Sequence, residues 1–211
     1  MAIIAKSSGG GGDFTPVSEG LHPAVCWAVV DLGIQAKGGM YPGEAHQLYL
    51  GFEVLDQTIE FDRDGKKEVG PMRTGITLTN SLGEKAKLRK FAEKWRGQPF
   101  TEQELRGFDV EKMAGQPCQV LVTHSSKGDK TYANIENILS WPKGKDKPDK
   151  SEILTYALDA PERNWERVPK WLQEKIEKRL ADNWEEFNQK APAKAKAPAQ
   201  DEVPFDDDIP F

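Results

Sequence analysis

The side chains most often used in catalysis or metal binding are few and scattered in this sequence. Its three histidines, His22, His46 and His124, have no cysteine or carboxylate at metal-ligand spacing. Cys26 and Cys118 are isolated, so we expect reduced thiols in the core and no zinc site. No Gly-x-x-x-x-Gly-Lys-Ser/Thr segment is present to cradle a phosphate. The sequence therefore predicts a protein that is not an enzyme and that needs no cofactor and no metal.

Aromatic and basic side chains offer a different chemistry. A ring stacked on a nucleobase contributes roughly 1–3 kcal/mol, and lysine or arginine neutralises the phosphates beside it. Trp27 is ambiguous, because on a bent first strand it could equally belong to the core. For each of the others the alternative is an ordinary surface residue. The predicted nucleic-acid contacts are Trp27, Lys37, Tyr41, Tyr49, Arg73, Lys127, Lys130 and Tyr132.

The net charge of −5 is unevenly distributed along the chain. Residues 201–211 hold five of the 34 acidic residues and no base, which leaves 34 − 5 = 29 acids against 29 bases in residues 1–200. A neutral body can still contain a basic groove, but we expect its binding to phosphate to be modest and to weaken with salt. The acidic segment could also compete with DNA for that groove.

The acidic segment carries apolar anchors. It follows an Ala/Pro/Lys linker over residues 191–200, and this composition predicts disorder. Ile209 and Phe211 suit a hydrophobic pocket ringed by arginine or lysine, and Pro210 lowers the cost of ordering them. The alternative is a tail that serves only solubility, but the apolar ending favours docking. The predicted partner-docking residues are Asp206, Asp207, Asp208, Ile209, Pro210 and Phe211.

Two segments resemble one family. Asp-Asp-Asp-Ile-Pro-Phe at positions 206–211 resembles the tip of bacterial single-stranded DNA-binding proteins, and residues 81–97 resemble the helical segment of phage-encoded members. The resemblance implies a protein that binds and protects single-stranded DNA during replication, recombination or repair. It also implies that the tip recruits replication and repair enzymes. A longer helical insertion and a helical region in place of a Gly/Gln-rich linker depart from the common form, so we expect a monomer or dimer rather than a tetramer.

Strand periodicity defines the elements that must position these residues. The first run is apolar almost throughout, and its valines and Trp27 favour a long strand over a buried helix. The second alternates apolar and polar residues, as a strand with one buried face does. We expect residues 57–69 to form a hairpin tip, and Gly128 and Asp129 to form the last turn. The five predicted strands cover residues 21–34, 46–56, 71–79, 117–124 and 130–139.

The period changes to that of a helix between the third and fourth strands. We expect Ser81 to cap a helix that begins near Glu84. Thr101 and Glu104 predict a capping box for a second short helix, and residues 109–114 predict a further turn. The apolar stripe of the first helix consists of Leu88, Phe91, Ala92 and Trp95.

Residues 168–188 predict one amphipathic helix beyond a basic linker. It could pack back on the preceding domain, dimerise or lie beside DNA, and the first is the usual fate of an apolar helix face. The residues near that face are Trp171, Leu172, Ile176, Leu180, Trp184 and Phe187.

Three strands, a helical segment and two more strands within about 120 residues predict a mainly β fold. The specific expectation is a five-stranded Greek-key OB barrel with a helical insertion between strands 3 and 4, followed by a C-terminal helix and a disordered acidic tail. Fold alone does not assign function. The predicted parts are a flexible N-terminus (1–19), the barrel (20–142), a basic linker with the amphipathic helix (143–190), and a disordered linker with the docking tip (191–211).

The sequence also predicts where the protein is located. No apolar run approaches the ~20 residues of a membrane span, and residues 1–12 lack the features of a signal peptide. We therefore expect a cytoplasmic protein, in a bacterium or a phage-infected host, without a membrane partner.

Two other functions remain open. One is an adaptor that uses the tip to engage replication machinery without binding DNA, and the other is a strand-annealing recombination factor.

Overall fold

A computed structural model describes residues 15–37, 43–63, 65–148, 152–160 and 162–190. The fold is mainly β, as predicted, but the sheet has six strands and not five. The additional strand comes from the segment that was predicted to be linker. The strands are β1 (Gly20–Lys37), β2 (Gly43–Arg63), β3 (Lys66–Thr79), β4 (Pro117–Lys127), β5 (Lys130–Ser140) and β6 (Leu154–Tyr156).

The sheet is built around the long strand β1. Its order is β3-β2-β1-β4-β5, and every ladder along this path is antiparallel. One edge of β1 pairs with β2, whereas the other pairs first with β4 and then, over residues 28–30, with β6 in parallel. Residues 24–30 are buried, and they contribute to a core on each side of the sheet. Burial on both faces explains why this run is apolar almost throughout.

A β-bulge sets the direction of Trp27. Cys26 pairs with Phe52 and Ala28 pairs with Gly51, so Trp27 is the extra residue on β1. A bulge interrupts the alternation of side chains. Trp27 and Ala28 therefore both enter the same core cluster, while Cys26 enters the other.

Helix α1 (Lys87–Arg96) covers the larger of the two cores. The predicted stripe of Leu88, Phe91, Ala92 and Trp95 is buried, and the Trp95 ring lies 5.8 Å from that of Phe52. The predicted start is wrong. The helix begins at Lys87, and its N-terminus has no side-chain cap. Ser81 Oγ instead accepts the Gly83 N–H at 3.2 Å, because serine readily closes a turn with the backbone two residues ahead.

The rest of the helical insertion follows the sequence closely. Thr101 and Glu104 form the predicted capping box at the start of α2 (Glu102–Arg106). A 3₁₀ turn then covers Val110–Met113, with Met113 buried. These elements return the chain to β4 at Pro117.

The predicted single helix over residues 168–188 is wrong. The structure has two short helices, α3 (Lys170–Glu177) and α4 (Trp184–Lys190). Between them Ala181 pairs with Ile34 at the end of β1, through N···O distances of 2.8 Å for Ile34 N to Ala181 O and Leu180 N to Ile34 O. Asn183 Oδ1 accepts the Glu186 N–H at 2.9 Å, which is the capping contact of a new helix.

The C-terminal part packs back on the sheet, as the first of the three alternatives predicted. Leu172 and Ile176 of α3 are buried. The second core cluster comprises Trp27, Ala28, Val30, Leu32, Tyr49, Leu154, Tyr156, Leu158, Val168, Leu172 and Ile176. This cluster joins residues 154–176 to the outer side of β1 and β2.

Two local expectations also change. Residues 15–19 were assigned to the flexible N-terminus, yet Val17 is buried and its carbonyl lies 2.7 Å from His124 Nε2. The predicted hairpin between the second and third strands is confirmed, but its turn is shorter than the predicted residues 57–69, because the β2–β3 ladder runs on to the pair Arg63–Lys66. Within the described ranges, none of the helices combines the length and the apolar character needed to cross a bilayer.

Candidate functional site

A groove of about 1020 Å³ lies where the outer face of β2 and β3 meets the tip of the β4–β5 hairpin. Pro16 and Val17 line it, as do Pro169 and Trp171 at the start of α3. Five of the eight predicted nucleic-acid contacts come together here: Trp27, Tyr49, Arg73, Lys130 and Tyr132.

Two glycines leave room for the buried rings of Trp27 and Tyr49, and one of the two, Gly75, lines the groove. Gly51 on β2 and Gly75 on β3 are cross-strand partners. A Cβ atom on Gly75 would lie 2.1 Å from the Tyr49 hydroxyl oxygen, and one on Gly51 would lie 2.8 Å from Trp27 Nε1. Only glycine therefore leaves room for the two rings to lie against the sheet, and the sequence analysis had not singled out this role.

Trp27 lies beneath a guanidinium group. It is 8% exposed, and Arg73 Cζ sits 4.1 Å from its ring centroid. Arg73 also bonds to Glu53 Oε2 at 3.2 Å, while 49% of its side chain stays exposed. The ambiguity over Trp27 is resolved in favour of burial. Trp27 supports the guanidinium group of Arg73 from below, and the opposite side of that group is open to solvent.

Tyr49 is also more buried than a stacking platform would be. Its ring is 8% exposed, and the Trp171 ring packs against it edge to face at 5.1 Å and 87°. Burial raises the pKa of the Tyr49 phenol far above its usual value, so the group stays neutral. Tyr49 therefore supports Trp171 and offers little free surface of its own.

The two open aromatic rings of the groove are Tyr132 on β5, 46% exposed, and Trp171 on α3, 54% exposed. The sequence analysis missed Trp171, because it assigned this residue to the apolar face of a long helix. Leu172 and Ile176, four residues apart, form the buried stripe of α3. Trp171 precedes Leu172 by one position and so points about 100° away from that stripe. This angular offset is the sequence feature from which the exposure of Trp171 could have been predicted.

Carboxylates partly neutralise the positive side chains of the groove. Arg73 is paired with Glu53, and Lys130 shares the lining with Asp129. Lys175 of α3 is not part of the lining; its Nζ lies 3.4 Å from Thr77 Oγ1 of β3, and burial lowers its pKa. The positive potential of the groove is therefore modest, and Lys175 is a cation that the sequence analysis had not selected.

The other predicted residues lie elsewhere. Lys127 pairs with Lys130 at the end of the β4–β5 ladder and extends the hairpin tip beyond the groove lining. Lys37 is exposed at the end of β1 and does not line the groove. Tyr41 and the docking residues 206–211 lie outside the described residues.

Among the residues that the structure describes, no three His, Cys, Asp or Glu side chains are grouped so as to hold a metal ion. No protein-family model, curated protein or solved structure matches the chain.

Proposed function

We propose that the groove binds single-stranded DNA. One observation carries the proposal: Trp27, Tyr49, Arg73, Lys130 and Tyr132, selected separately as nucleic-acid contacts, line a single groove. They come from four different strands, so their proximity is not a consequence of sequence spacing.

Tyr132 and Trp171 are the stacking surfaces in this proposal. Both are about half exposed, and a ring accepts any base because every base has a π-face. Trp171 is braced by Tyr49 and by the buried stripe of α3, so little side-chain freedom is lost when a base stacks on it. Arg73 offers a third surface, since a guanidinium plane can stack on a base while Trp27 holds it from below.

Phosphates would contact the hairpin tip. Lys127 and Lys130 face each other across the last ladder pair and are exposed. With Arg73 they provide three cations, and three phosphate contacts on a single strand give a salt slope of about −2. Binding should therefore be modest in strength and weaken gradually with salt.

The proposed fold behind this site is an OB barrel. The strand order β3-β2-β1-β4-β5 and the insertion of α1 and α2 between the third and fourth strands suit it. Residues of β3 and β5, at the two ends of the order, also have Cα atoms within 8 Å of each other. We propose that this approach closes the barrel.

The role proposed for residues 206–211 is recruitment. An acidic peptide with Ile209 and Phe211 suits hydrophobic pockets with basic rims on replication and repair enzymes. Binding at the groove and recruitment through the tip would divide two tasks between two parts of the chain.

The test is fluorescence anisotropy with labelled oligo-dT and the full chain, with duplex DNA as the comparison. Trp171→Ala should weaken binding about 5- to 150-fold, the equivalent of one lost stack. Trp184→Ala is the matched control, since Trp184 is 45% exposed but lies outside the groove lining. Equal losses in both variants would contradict the assignment. No binding of oligo-dT by the wild type would refute the proposal and favour an adaptor.

A further inference from the structure

A second cavity, of about 340 Å³, opens on the helical side of the molecule. It lies between α1, the 3₁₀ turn and the segment that follows β5. The residues that line it are Ala92, Trp95, Arg96, Phe108, Lys112, Met113, Gln116, Pro117, Trp141 and Lys147. We call it the α1 pocket, and it shares no residue with the groove.

The interior of the α1 pocket is apolar and fixed in shape. Trp95 donates its indole N–H to the Pro117 carbonyl at 2.9 Å, so the ring presents carbon to the cavity with its polar group satisfied. Phe108 packs edge to face on Phe100 at 5.0 Å. Trp141 is half-buried on the opposite segment, with its indole N–H 3.3 Å from the Lys145 carbonyl. Preformed aromatic walls of this kind accept an apolar or aromatic anchor.

The rim of the α1 pocket is basic. Its charged lining residues are Arg96, Lys112 and Lys147, and no carboxylate lines the pocket within the described part of the chain. Arg96 bonds to Glu104 through Nη2, whereas its buried Nη1 has no hydrogen-bond partner among the described residues. Lys112 lies 4.0 Å from Asp109, and both side chains are more than half exposed, so this pair is weak.

We propose that the α1 pocket binds residues 206–211 of the same chain. Phe211 would enter the aromatic cavity, while Asp206, Asp207 and Asp208 would lie beside the basic rim. The groove is a poorer match for an acidic peptide, because the carboxylate of Asp129 is part of its lining, whereas the described lining of the α1 pocket holds no carboxylate.

The connecting chain is long enough for this contact. From Lys190 to Phe211 there are 211 − 190 = 21 residues, which span at most about 70 Å. A compact domain of this size has a radius of gyration of about 16 Å. Any surface of the domain is within reach, and the covalent link raises the effective concentration of the tip to about the millimolar range.

Docking at the α1 pocket would leave the groove free. The pocket contains Pro117 at one end of β4, and the groove contains residues 129–133 at the other end of the β4–β5 hairpin. Pro117 and Lys127 are ten residues apart on β4, a distance of about 33 Å. The docked tip would therefore be shielded from partner proteins without competing with DNA for the groove. The charge of the acidic segment alone would instead suggest such competition. The inference does not depend on DNA binding.

The experiment uses the full chain labelled with ¹⁵N and observes its six tryptophan indole N–H signals, assigned by Trp→Phe substitutions. Phe211→Ala should shift the Trp95 and Trp141 signals and leave those of Trp171 and Trp184 in place. Phe205→Ala is the matched control, because it removes a phenylalanine from the same segment and keeps residues 206–211 intact. It should shift none of the four.

A second variant tests the rim. Lys112→Glu combined with Lys147→Glu changes two exposed side chains, and in this background Phe211→Ala should no longer shift Trp95 or Trp141. The inference is overturned if Phe211→Ala shifts no indole signal, or if it shifts Trp27 and Trp171 instead. Shifts that fade on tenfold dilution would also overturn it, since they would indicate docking between two copies.

Discussion

The floor of the groove gives a sharp prediction for Gly75. In Gly75→Ala the new Cβ would lie 2.1, 2.3 and 2.5 Å from Oη, Cζ and Cε2 of Tyr49. These atoms belong to a ring that is 8% exposed, and the backbone of two paired strands cannot move away. The ring must leave its site, and with it goes the contact between Tyr49 and Trp171.

The expected cost follows from what is displaced. Removing a large buried aromatic side chain costs about 3–5 kcal/mol, and a lost edge-to-face pair accounts for about 0.5–1.5 kcal/mol of it. The ring can regain some contacts at the surface, so we expect Gly75→Ala to lower the free energy of unfolding by about 2–4 kcal/mol. Gly107→Ala is the control, because nothing lies within 4 Å of a Cβ there and its backbone is extended.

The assay is urea unfolding, combined with a double-mutant cycle. Tyr49→Ala removes the atoms that clash, so the double variant should be no less stable than Tyr49→Ala alone. The two losses should therefore be far from additive. The packing argument would be refuted if Gly75→Ala were as stable as Gly107→Ala. It would also be refuted if the losses of Gly75→Ala and Tyr49→Ala were fully additive.

Three further outcomes are expected. The backbone N–H of Thr101 donates a hydrogen bond to Glu104 Oε2 at 2.9 Å. This bond holds the pKa of Glu104 below 4.5, so the folded state favours the carboxylate. That stability is present above pH 4.5 and is lost as the pH falls through the lowered value. The loss caused by Glu104→Gln should therefore shrink in acid, and a loss independent of pH would contradict the capping box. Burial raises the pKa of the Cys26 and Cys118 thiols, so iodoacetamide should alkylate them only after unfolding, and rapid labelling of the native protein would show that the core is open. Arg73→Lys keeps the charge but removes the flat group above Trp27, so it should cost about 0.5–1 kcal/mol of stability in urea, and no cost would mean that the stacking is incidental.

Elements set by local pattern were predictable from the sequence. The strand β2, the stripe of α1 and the capping box of α2 each depend on residues a few positions apart. The expectation that β2 buries only one face is wrong, because residues 48–54 are buried throughout. The start of α1 was missed because Ser81 uses its hydroxyl in a turn, and the break before α4 was missed although Asn183 is a good helix cap.

The remaining features depend on contacts between distant segments. Strand β6 has three residues and exists because β1 offers a free edge to it, which no periodicity in residues 154–156 reveals. The roles of Gly51 and Gly75 depend on their pairing and on the rings that lie over them. Five of the residues that line the groove were selected from the sequence, but its open rings are Tyr132 and Trp171, because Trp27 and Tyr49 are covered by other side chains.

The most direct test of the central claim is to locate a bound single strand on the protein. Oligo-dT that carries bromodeoxyuridine would be crosslinked by light to the full chain, and the attached peptides would be identified by mass spectrometry. The account predicts crosslinks at Tyr132 and Trp171, lost one at a time in Tyr132→Ala and Trp171→Ala and kept in Trp184→Ala. Crosslinks confined to other surfaces, or none under conditions where a known single-strand binder reacts, would contradict it.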